Sequence, residues 1–258
     1  FHPRPHTPNL APLSNSNNGL SLNLRVGFLN VCHLLNKKHE VEDFILSQNI
    51  DIMILAETFL SSSTADSLLS IPNHALFRRD RPGHGGGLAA YVHNRFQAQV
   101  VGDHTNIELL LLEIRSHRNR ILLGGVYRPP GTPVQFWQDL SNAVDTAAAS
   151  MPSSPLILTG DFNVDVSRRQ APQLDNLHRF CDQFNISNKV QDTTRIAPHG
   201  SRTTLDLALA VDGAITSCTV LPCTISDHFA VVIDLPFKCT MEPPAVKCGR
   251  NLARIEIG

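Results

Sequence analysis

The order of the apolar segments is the feature that most constrains the fold of this chain. Short stretches rich in Leu, Ile and Val either alternate apolar with polar residues or are apolar throughout, as in 22–30 and 50–58, which is typical of β-strands. The predicted strands are 22–30, 50–58, 86–94, 106–116, 120–128, 155–163, 204–211, 215–222 and 228–236, and the predicted helices are 39–48, 134–150 and 174–185. Because strands outnumber helices and often follow one another directly, the pattern favours an α/β fold of two packed sheets with helices outside over a doubly wound parallel sheet.

The two ends of the chain are predicted to be tails. Residues 1–20 are rich in Pro, Asn and Ser and hold too few apolar residues for a core, so we expect a disordered lead-in. Residues 237–258 mix Pro, Cys and Lys without periodicity, which indicates a linker. A single domain over 21–236 is expected between them.

Composition excludes several classes of protein. Apolar residues make up 42% and charged residues 17% of the 258, against ~25% charged in a typical globular protein, so a wholly disordered chain is excluded. No apolar run approaches the ~18–20 residues of a membrane span, and no membrane partner is expected. The formal net charge is −1, so any contact with a polyanion must come from a local surface or a bound cation.

The six cysteines do not form a recognisable metal or disulfide framework. They lack CxxC pairs and zinc-finger spacing, and their density is low for a stapled secreted domain. We expect reduced cysteines in an intracellular protein.

Polar residues follow or open several of the predicted strands, where a rigid sheet commonly carries functional groups. Taken singly, each has a structural explanation: a carboxylate after a strand is usually a turn residue or helix cap, and an aromatic residue there fits the edge of a core. The residues are Asn30, Glu57, Tyr127, Asp161, Asn163, Asp206, Asp227 and His228.

Asp206 is the hardest of these to explain by structure alone. It lies within TLDLALA, where alternation places Leu205 and Leu207 on one face and Asp206 with Ala208 on the other. A carboxylate in an apolar strand is costly unless it is paired, so it needs a cation, a histidine or a metal. His228 is the proposed partner, and Asp227 has the same difficulty beside FAVVIDL.

The set as a whole is rich in oxygen ligands and free of cysteine, which suits Mg²⁺ or Mn²⁺ better than zinc. A carboxylate-bound Mg²⁺ with a nearby Asp and His is suited to phosphoryl transfer, because the ion neutralises phosphate charge while a carboxylate or imidazole manages a proton. An Asp–His pair also fixes the imidazole tautomer.

Several stretches, in this order, resemble the exonuclease–endonuclease–phosphatase superfamily and, within it, the apurinic-type endonuclease domain of LINE-like non-LTR retrotransposons. Together they extend over roughly residues 22–236. They are NVCHLLNKK (30–38), ILAETFL (54–60), RRDRPGHGGGLAAYV (78–92), GVYRPPG (125–131), LTGDFNVD (158–165), TTRIAPHGSRTTLDLAL (193–209) and ISDHFAVVIDL (225–235).

The resemblance implies a four-layer sandwich of two mixed sheets with flanking helices. It implies an endonuclease that depends on Mg²⁺, with Mn²⁺ as an alternative, and that nicks double-stranded DNA to leave a 3′-hydroxyl, which primes reverse transcription at the target site. The implied partners are DNA, retrotransposon RNA and a reverse transcriptase domain absent from this chain; a monomer acting in the nucleus is expected. The chain is then a fragment or a truncated, host-retained copy.

The same resemblance assigns residues to the metal and the phosphate. Glu57 is the implied metal ligand, with Asn30 beside it. Tyr127 and Asn163 would contact and orient the scissile phosphate, and Ser226 would lie against it.

It also assigns the groups that manage protons. Asp161 would position or activate the attacking water, or protonate the leaving group. Asp206 would hold His228, which would stabilise the developing negative charge or act as a base. Asp227 would support the metal or the histidine. Further substrate contacts are expected from Arg128 and Arg202.

The chain departs from the family pattern in places. Relatives often have N-x-R-S-L where this chain has Asn30 followed by VCHL, and Phe59 stands where ETWL is common. GHGGG (83–87) is predicted to be a plain turn, because no helix begins after it. Two alternatives stay open: another phosphodiesterase, phosphatase or ribonuclease of the superfamily, and an inactive remnant that binds only DNA or protein.

Overall fold

The computed structural model describes residues 23–83, 85–116 and 119–237. Their regular structure is mostly strand. The strands are β1 Leu24–Asn30, β2 Ile52–Ala56, β3 His74–Arg79, β4 Leu88–His93, β5 Gln97–Val100, β6 Glu108–Ser116, β7 Asn119–Tyr127, β8 Leu156–Asp161, β9 Ser187–Asn188, β10 Arg195–Ile196, β11 Arg202–Thr203, β12 Asp206–Ala210, β13 Ser217–Leu221 and β14 Ala230–Leu235. The helices are α1 Lys38–Ser47, α2 Gln135–Ser150 and α3 Leu174–Phe184, with short 3₁₀ turns at Leu35–Lys37 and Asp66–Leu68.

The strands form two six-stranded mixed sheets. The first has the order β13-β14-β1-β2-β4-β3 and the second the order β5-β6-β7-β8-β12-β9, while β10 and β11 make a separate two-stranded ribbon. In each sheet one central pair is parallel, β1 with β2 and β7 with β8, and the other pairings are antiparallel. The parallel pairs matter for the site, because their carboxyl ends lie at the same edge of each sheet.

Three apolar layers show that the sheets pack face to face with helices outside. The layer between the sheets includes Phe28, Ile54 and Leu123. The helices α2 and α3 cover the outer face of the second sheet through a layer that contains Trp137 and Phe180. Helix α1 and the loops near it cover the first sheet through a third layer. The predicted four-layer α/β sandwich is therefore confirmed.

Every strand and helix predicted from the sequence is present, with ends that differ by at most about two residues, which is the usual uncertainty of such boundaries. The strands β3 and β5 were not predicted, nor were the two-residue strands β9, β10 and β11. Both β3 and β5 lie at sheet edges, and most of their residues are partly or fully exposed. An edge strand needs no continuous apolar face, so HALFRR and QAQV lack the pattern that revealed the central strands.

The end of the packed domain lies one residue beyond the predicted boundary at 236. Phe237 is buried in the layer between the sheets, with its ring centroid 5.9 Å from that of Phe96. The predicted lead-in, and the linker beyond Phe237, lie outside the described residues. Within the described ranges, no helix has the length and hydropathy of a membrane span.

Candidate active site

The candidate site lies where the ends of the central strands of both sheets meet. Asn30 ends β1 and Glu57 directly follows β2, the parallel neighbour of β1. In the second sheet Tyr127 and Asp161 are register partners at the ends of the parallel strands β7 and β8. Asp206 opens β12 opposite Asp161, because those two strands are antiparallel.

Asp161, Asp206 and His228 form the one group of three or more His, Cys, Asp or Glu side chains in the described residues that could hold a metal ion. Each offers a donor atom, these atoms lie within 4.8 Å of one another, and all three residues are buried. Nδ1 of His228 lies 2.8 Å from Oδ2 and 3.0 Å from Oδ1 of Asp206. With the Nδ1 proton donated to Asp206, Nε2 is the ring nitrogen left for chemistry. The predicted Asp206–His228 pair is thus present.

Asn30 joins the two halves of the site. Its Nδ2 donates to Oε1 of Glu57 at 2.8 Å and to Oδ2 of Asp161 at 2.9 Å. Since only the amide nitrogen can donate, these two acceptors fix which way the amide points. Oδ1 of Asn30 is buried and has no hydrogen-bond partner among the described residues. An unpartnered amide oxygen beside a carboxylate fits a hard divalent cation, which prefers such oxygen ligands.

Tyr127 orients Glu57. The Tyr127 hydroxyl is hydrogen-bonded to the Glu57 carboxylate, and burial, then the Glu57 charge, raise the pKa of Tyr127 well above its usual range. Tyr127 is therefore a neutral donor at any physiological pH. Its single proton goes to Glu57, so the phosphate contact predicted for it would have to compete with this bond.

Asp161 is the most perturbed carboxyl group of the site. Burial and the neighbouring charge of Asp206 raise its pKa well above the usual carboxyl range, while His228 and the hydrogen bonds from Asn30 and Asn163 act the other way. Two carboxylates in adjacent register positions favour keeping one of them protonated. Asp161 is thus suited to give up a proton near neutral pH.

His228 is perturbed in the opposite sense. Burial opposes its protonation, but the hydrogen bond and charge of Asp206, with the charges of Asp161 and Asp227, raise the pKa of His228 above its usual value. The imidazole is therefore ready to accept and hold a proton next to Asp161.

The turn before β14 carries Ser226, Asp227 and His228, so the latter two do not open the strand as the sequence suggested. Oγ of Ser226 donates to the Asn30 carbonyl at 2.6 Å and accepts the His228 N–H at 3.1 Å. Asp227 points to Arg195, whose Nε lies 2.8 Å from its Oδ2. Ser226 therefore ties this turn to the end of β1, and Asp227 lies beside the buried group without joining it.

The loop after β8 places Asn163 at the site. Its N–H donates to Oδ1 of Asp161 at 3.0 Å, and its Nδ2 donates to the Arg128 carbonyl at 2.8 Å. One Nδ2 proton remains for a phosphate oxygen. Asn163 has φ +48°, a conformation that asparagine tolerates better than most residues.

Arg128 has a structural role that the sequence did not indicate. It is 3% exposed, and its guanidinium donates to the carbonyls of Thr132 at 2.7 Å and Phe162 at 3.4 Å. The guanidinium also lies over the rings of Phe136 and Trp137. Because these contacts hold it inside the protein, the predicted substrate contact does not match its position.

Most surface arginines near the site are paired within the protein. Arg78 pairs with Asp66 and Asp80, and Arg79 with Asp103. Arg202, in the ribbon strand β11, is exposed, and its side chain makes no hydrogen bond or ion pair with the other described residues. It therefore remains open to the substrate contact predicted for it.

Two residues of the site were missed. Oγ1 of the fully buried Thr194 accepts the N–H groups of Leu205 and Asp206 at 3.0 and 3.1 Å, which fixes the start of β12. Glu108 opens β6 opposite Tyr127. Thr194 lies in a matched stretch, but nothing in the sequence separates it from the threonines around it, and Glu108 lies outside every matched stretch.

A family model for the endonuclease/exonuclease/phosphatase family matches residues 20–228. The chain belongs to the endonuclease/exonuclease/phosphatase family. The match spans far more than half of the chain and includes every residue of the candidate site. The members of this family are nucleases and phosphatases, which are enzymes that cleave phosphoester bonds. No curated protein matches the chain.

Several solved structures share this fold. The endonuclease domain of TRAS1, a telomere-specific non-LTR retrotransposon, superposes with TM-score 0.66 at 15% identity, covering 83% of this chain and 98% of that one. A variant of the 3′ phosphatase NExo from Neisseria, bound to a product DNA hairpin, gives TM-score 0.65 at 13% identity over 82% and 99%. A family protein from Bacteroides thetaiotaomicron gives 0.62 at 14% identity over 83% and 97%.

Proposed function

We propose that this chain is a divalent-metal-dependent DNA endonuclease that hydrolyses one phosphodiester bond and leaves a 3′-hydroxyl. The observation that carries the proposal is the joining of Asp161, Asp206 and His228 to Glu57 through the amide of Asn30. That arrangement combines an oxygen-ligand position with a proton donor and a proton acceptor, which is what phosphodiester hydrolysis requires.

Glu57 and Oδ1 of Asn30 are the proposed ligands for the ion, with Mg²⁺ or Mn²⁺ as the expected occupant. When bound, such an ion neutralises negative charge on the scissile phosphate. Tyr127 keeps the Glu57 carboxylate oriented through its hydroxyl. In place of the phosphate contact predicted from the sequence, we assign Tyr127 this orienting task.

The proton transfers are assigned to the buried side chains of Asp161, Asp206 and His228. His228, held by Asp206 through Nδ1, takes a proton from the attacking water at Nε2. Asp161, protonated because of its raised pKa, gives its proton to the 3′-oxygen as the bond between phosphorus and that oxygen breaks. The products are a 3′-hydroxyl and a 5′-phosphate. Asn163 donates its remaining amide proton to a phosphate oxygen.

A plasmid assay tests this activity. Purified protein is incubated with supercoiled plasmid with and without Mg²⁺, beside the variants Glu57→Ala, Asp161→Asn and His228→Ala. We expect nicked circles only with the metal, and a loss of at least about 100-fold in each variant, the lower range for removing an acid or base. Glu40→Gln, an exposed carboxylate of α1, is the matched control and keeps its activity.

The outcomes separate the alternatives. Extension of the nick by a DNA polymerase without prior phosphatase treatment shows a free 3′-hydroxyl. If the protein leaves plasmid intact but removes phosphate from a 3′-phosphorylated oligonucleotide, it is a 3′ phosphatase, the second candidate that its likeness to NExo favours. If the wild type cleaves neither the plasmid nor the 3′-phosphorylated oligonucleotide, like all three variants, the chain is an inactive remnant.

We further propose that the nick serves target-primed reverse transcription by a non-LTR retrotransposon, in the nucleus and together with element RNA and a reverse transcriptase. The matched motifs and the likeness in fold to the TRAS1 endonuclease domain support this role. Mapping of nicks on genomic DNA tests it, because a retrotransposon endonuclease is expected to favour a limited set of target sequences through DNA shape and deformability.

A further inference from the structure

The backbone around Glu57 is held in a conformation that non-glycine residues rarely adopt. Glu57 and Phe59 both have φ +52°, in the left-handed region. Such residues persist only where their surroundings determine them firmly. The turn at 57–59 that aims the Glu57 carboxylate therefore depends on whatever binds its backbone.

One side of this turn is bound by the segment after β1, where the His33 and Leu34 N–H groups donate to the carbonyls of Glu57 and Thr58 at 3.0 Å each. The other side is bound by the glycine segment, residues 85–87. The Thr58 N–H donates to the Gly87 carbonyl at 3.3 Å, and the Phe59 N–H donates to the Gly86 carbonyl at 2.9 Å. The glycines predicted to form a plain turn thus bind the backbone of the turn at 57–59 directly.

Two residues of the glycine segment, Gly86 and Gly87, would be strained and crowded by a side chain. Gly86 and Gly87 have φ +68° and +87°. A Cβ on Gly86 would lie 2.6 Å from Oε2 of Glu108, and one on Gly87 would lie 2.7 Å from Oγ1 of Thr58. The absence of side chains lets Glu108 on one side and the turn at 57–59 on the other approach the same backbone.

Glu108 anchors the far side of the segment. Its Oε2 accepts the Gly87 N–H at 2.5 Å, and its Oε1 lies 3.5 Å from the Arg81 guanidinium. The carboxylate side chain is only 15% exposed, so water does not readily replace it as a partner for Gly87. Glu108 is also the register partner of Tyr127, which binds the Glu57 carboxylate itself.

We propose that Glu108 is a positioning residue for Glu57, acting through the glycine segment. The contacts run from Glu108 to the Gly87 N–H, and from the carbonyls of Gly86 and Gly87 to the turn at 57–59. Tyr127 fixes the direction of the Glu57 carboxylate, and Glu108 fixes the backbone that carries it. The inference rests on the proposed function, in which Glu57 holds a divalent cation.

Two variants of Glu108 show whether the hydrogen bond from the Gly87 N–H or the negative charge of the carboxylate positions the turn at 57–59. Glu108→Ala removes the acceptor of the Gly87 N–H, whereas Glu108→Gln keeps an amide oxygen that can accept it. Asp103→Asn is the matched control, because Asp103 is an exposed carboxylate that pairs with Arg79 nearby. Each protein is titrated with Mn²⁺ while the free ion is followed by electron paramagnetic resonance, and amide hydrogen exchange is measured over 57–60 and, for comparison, over α1.

We expect Glu108→Ala to weaken Mn²⁺ binding by about tenfold, the lower range for partners that orient metal ligands, and to speed exchange over 57–60 but not over α1. Glu108→Gln and Asp103→Asn are expected to resemble the wild type. Unchanged exchange over 57–60 in Glu108→Ala, or equal damage in Glu108→Gln and Glu108→Ala, would overturn the proposal.

The same experiment keeps this inference apart from the proposed function. If Glu57→Ala binds Mn²⁺ as the wild type does, the assignment of Glu57 as a metal ligand fails. The exchange measurement on Glu108→Ala still shows whether Glu108 holds the turn, because it needs neither metal nor DNA.

Discussion

At the scale of single residues, the site depends on how a few buried groups share protons. Asp161 and Asp206 occupy facing positions on adjacent strands, so burial and the charge of Asp206 raise the pKa of Asp161, and His228 partly offsets this. The Asp206–His228 pair fixes one ring nitrogen and leaves the other for water. Because Asp206 helps to raise the pKa of His228, the contribution of this buried pair to stability can be measured through its dependence on pH.

We predict that the stability gained from the Asp206–His228 pair falls as pH rises. The pKa of His228 is raised in the folded protein, so the pair's contribution is fully present below the unfolded value of ~6.5 and is lost as pH rises through the higher folded pKa. Asp206→Asn should cost about 1.5–3 kcal/mol at pH 6, the range for hydrogen bonds to charged groups, and clearly less at pH 8.5. Urea unfolding in EDTA at both pH values measures the difference.

A constant difference between the wild type and Asp206→Asn across this range would contradict the assignment. His178→Gln is the control for general histidine effects, since His178 lies exposed on α3. Its unfolding free energy should follow that of the wild type at both pH values.

At the scale of elements, the site depends on how closely β7 and β8 approach. These parallel strands deliver Tyr127 and Asp161 as register partners, just beyond Gly160. A Cβ at Gly160 would lie 2.1 Å from the carbonyl oxygen of Val126, an atom of the β7 backbone that cannot move without disturbing the sheet. The glycine in LTGDFN thus serves the approach of two strands.

Gly160→Ala is predicted to destabilise the protein by about 3 kcal/mol or more, at the upper end for overpacking of a core. Gly27→Ala is the matched control in a buried strand of the first sheet. A Cβ there would meet Sδ of Met53 at 2.7 Å, the flexible end of a side chain, so we expect a cost of about 1 kcal/mol. Chemical denaturation of both variants gives the comparison, and equal costs would refute the backbone argument.

At the scale of the whole molecule, charge is largely neutralised within the protein. The formal net charge is −1, and the arginines before the glycines and along β6 and β7 are paired with carboxylates such as Asp66, Asp103 and Glu113. Among the described residues, these arginines are therefore less available to bind phosphates. DNA binding should rely on a small number of contacts and on the bound metal ion.

Arg202→Gln is expected to weaken DNA binding and to reduce the slope of log K against log salt by about 1, the effect of one lost phosphate contact. Arg179→Gln, exposed on α3 over the outer face of the second sheet, should leave both unchanged. Fluorescence anisotropy with a labelled duplex, in Ca²⁺ to limit cleavage, measures the slope between about 50 and 200 mM salt. Equal slopes for all three proteins would remove Arg202 from the interface.

The sequence by itself determined the fold class, the strands and helices of the interior, and the Asp206–His228 pair. These features are encoded locally: buried strands need apolar runs, and a carboxylate inside TLDLALA needs a partner. Only the tertiary structure decided the edge strands, the burial of Arg128 among backbone carbonyls and aromatic rings, the ion pair of Asp227 with Arg195, and the contact of Glu108 with Gly87. These depend on residues far apart in the chain, because hydrogen-bond acceptors and packing space are defined only once the two sheets have closed on each other.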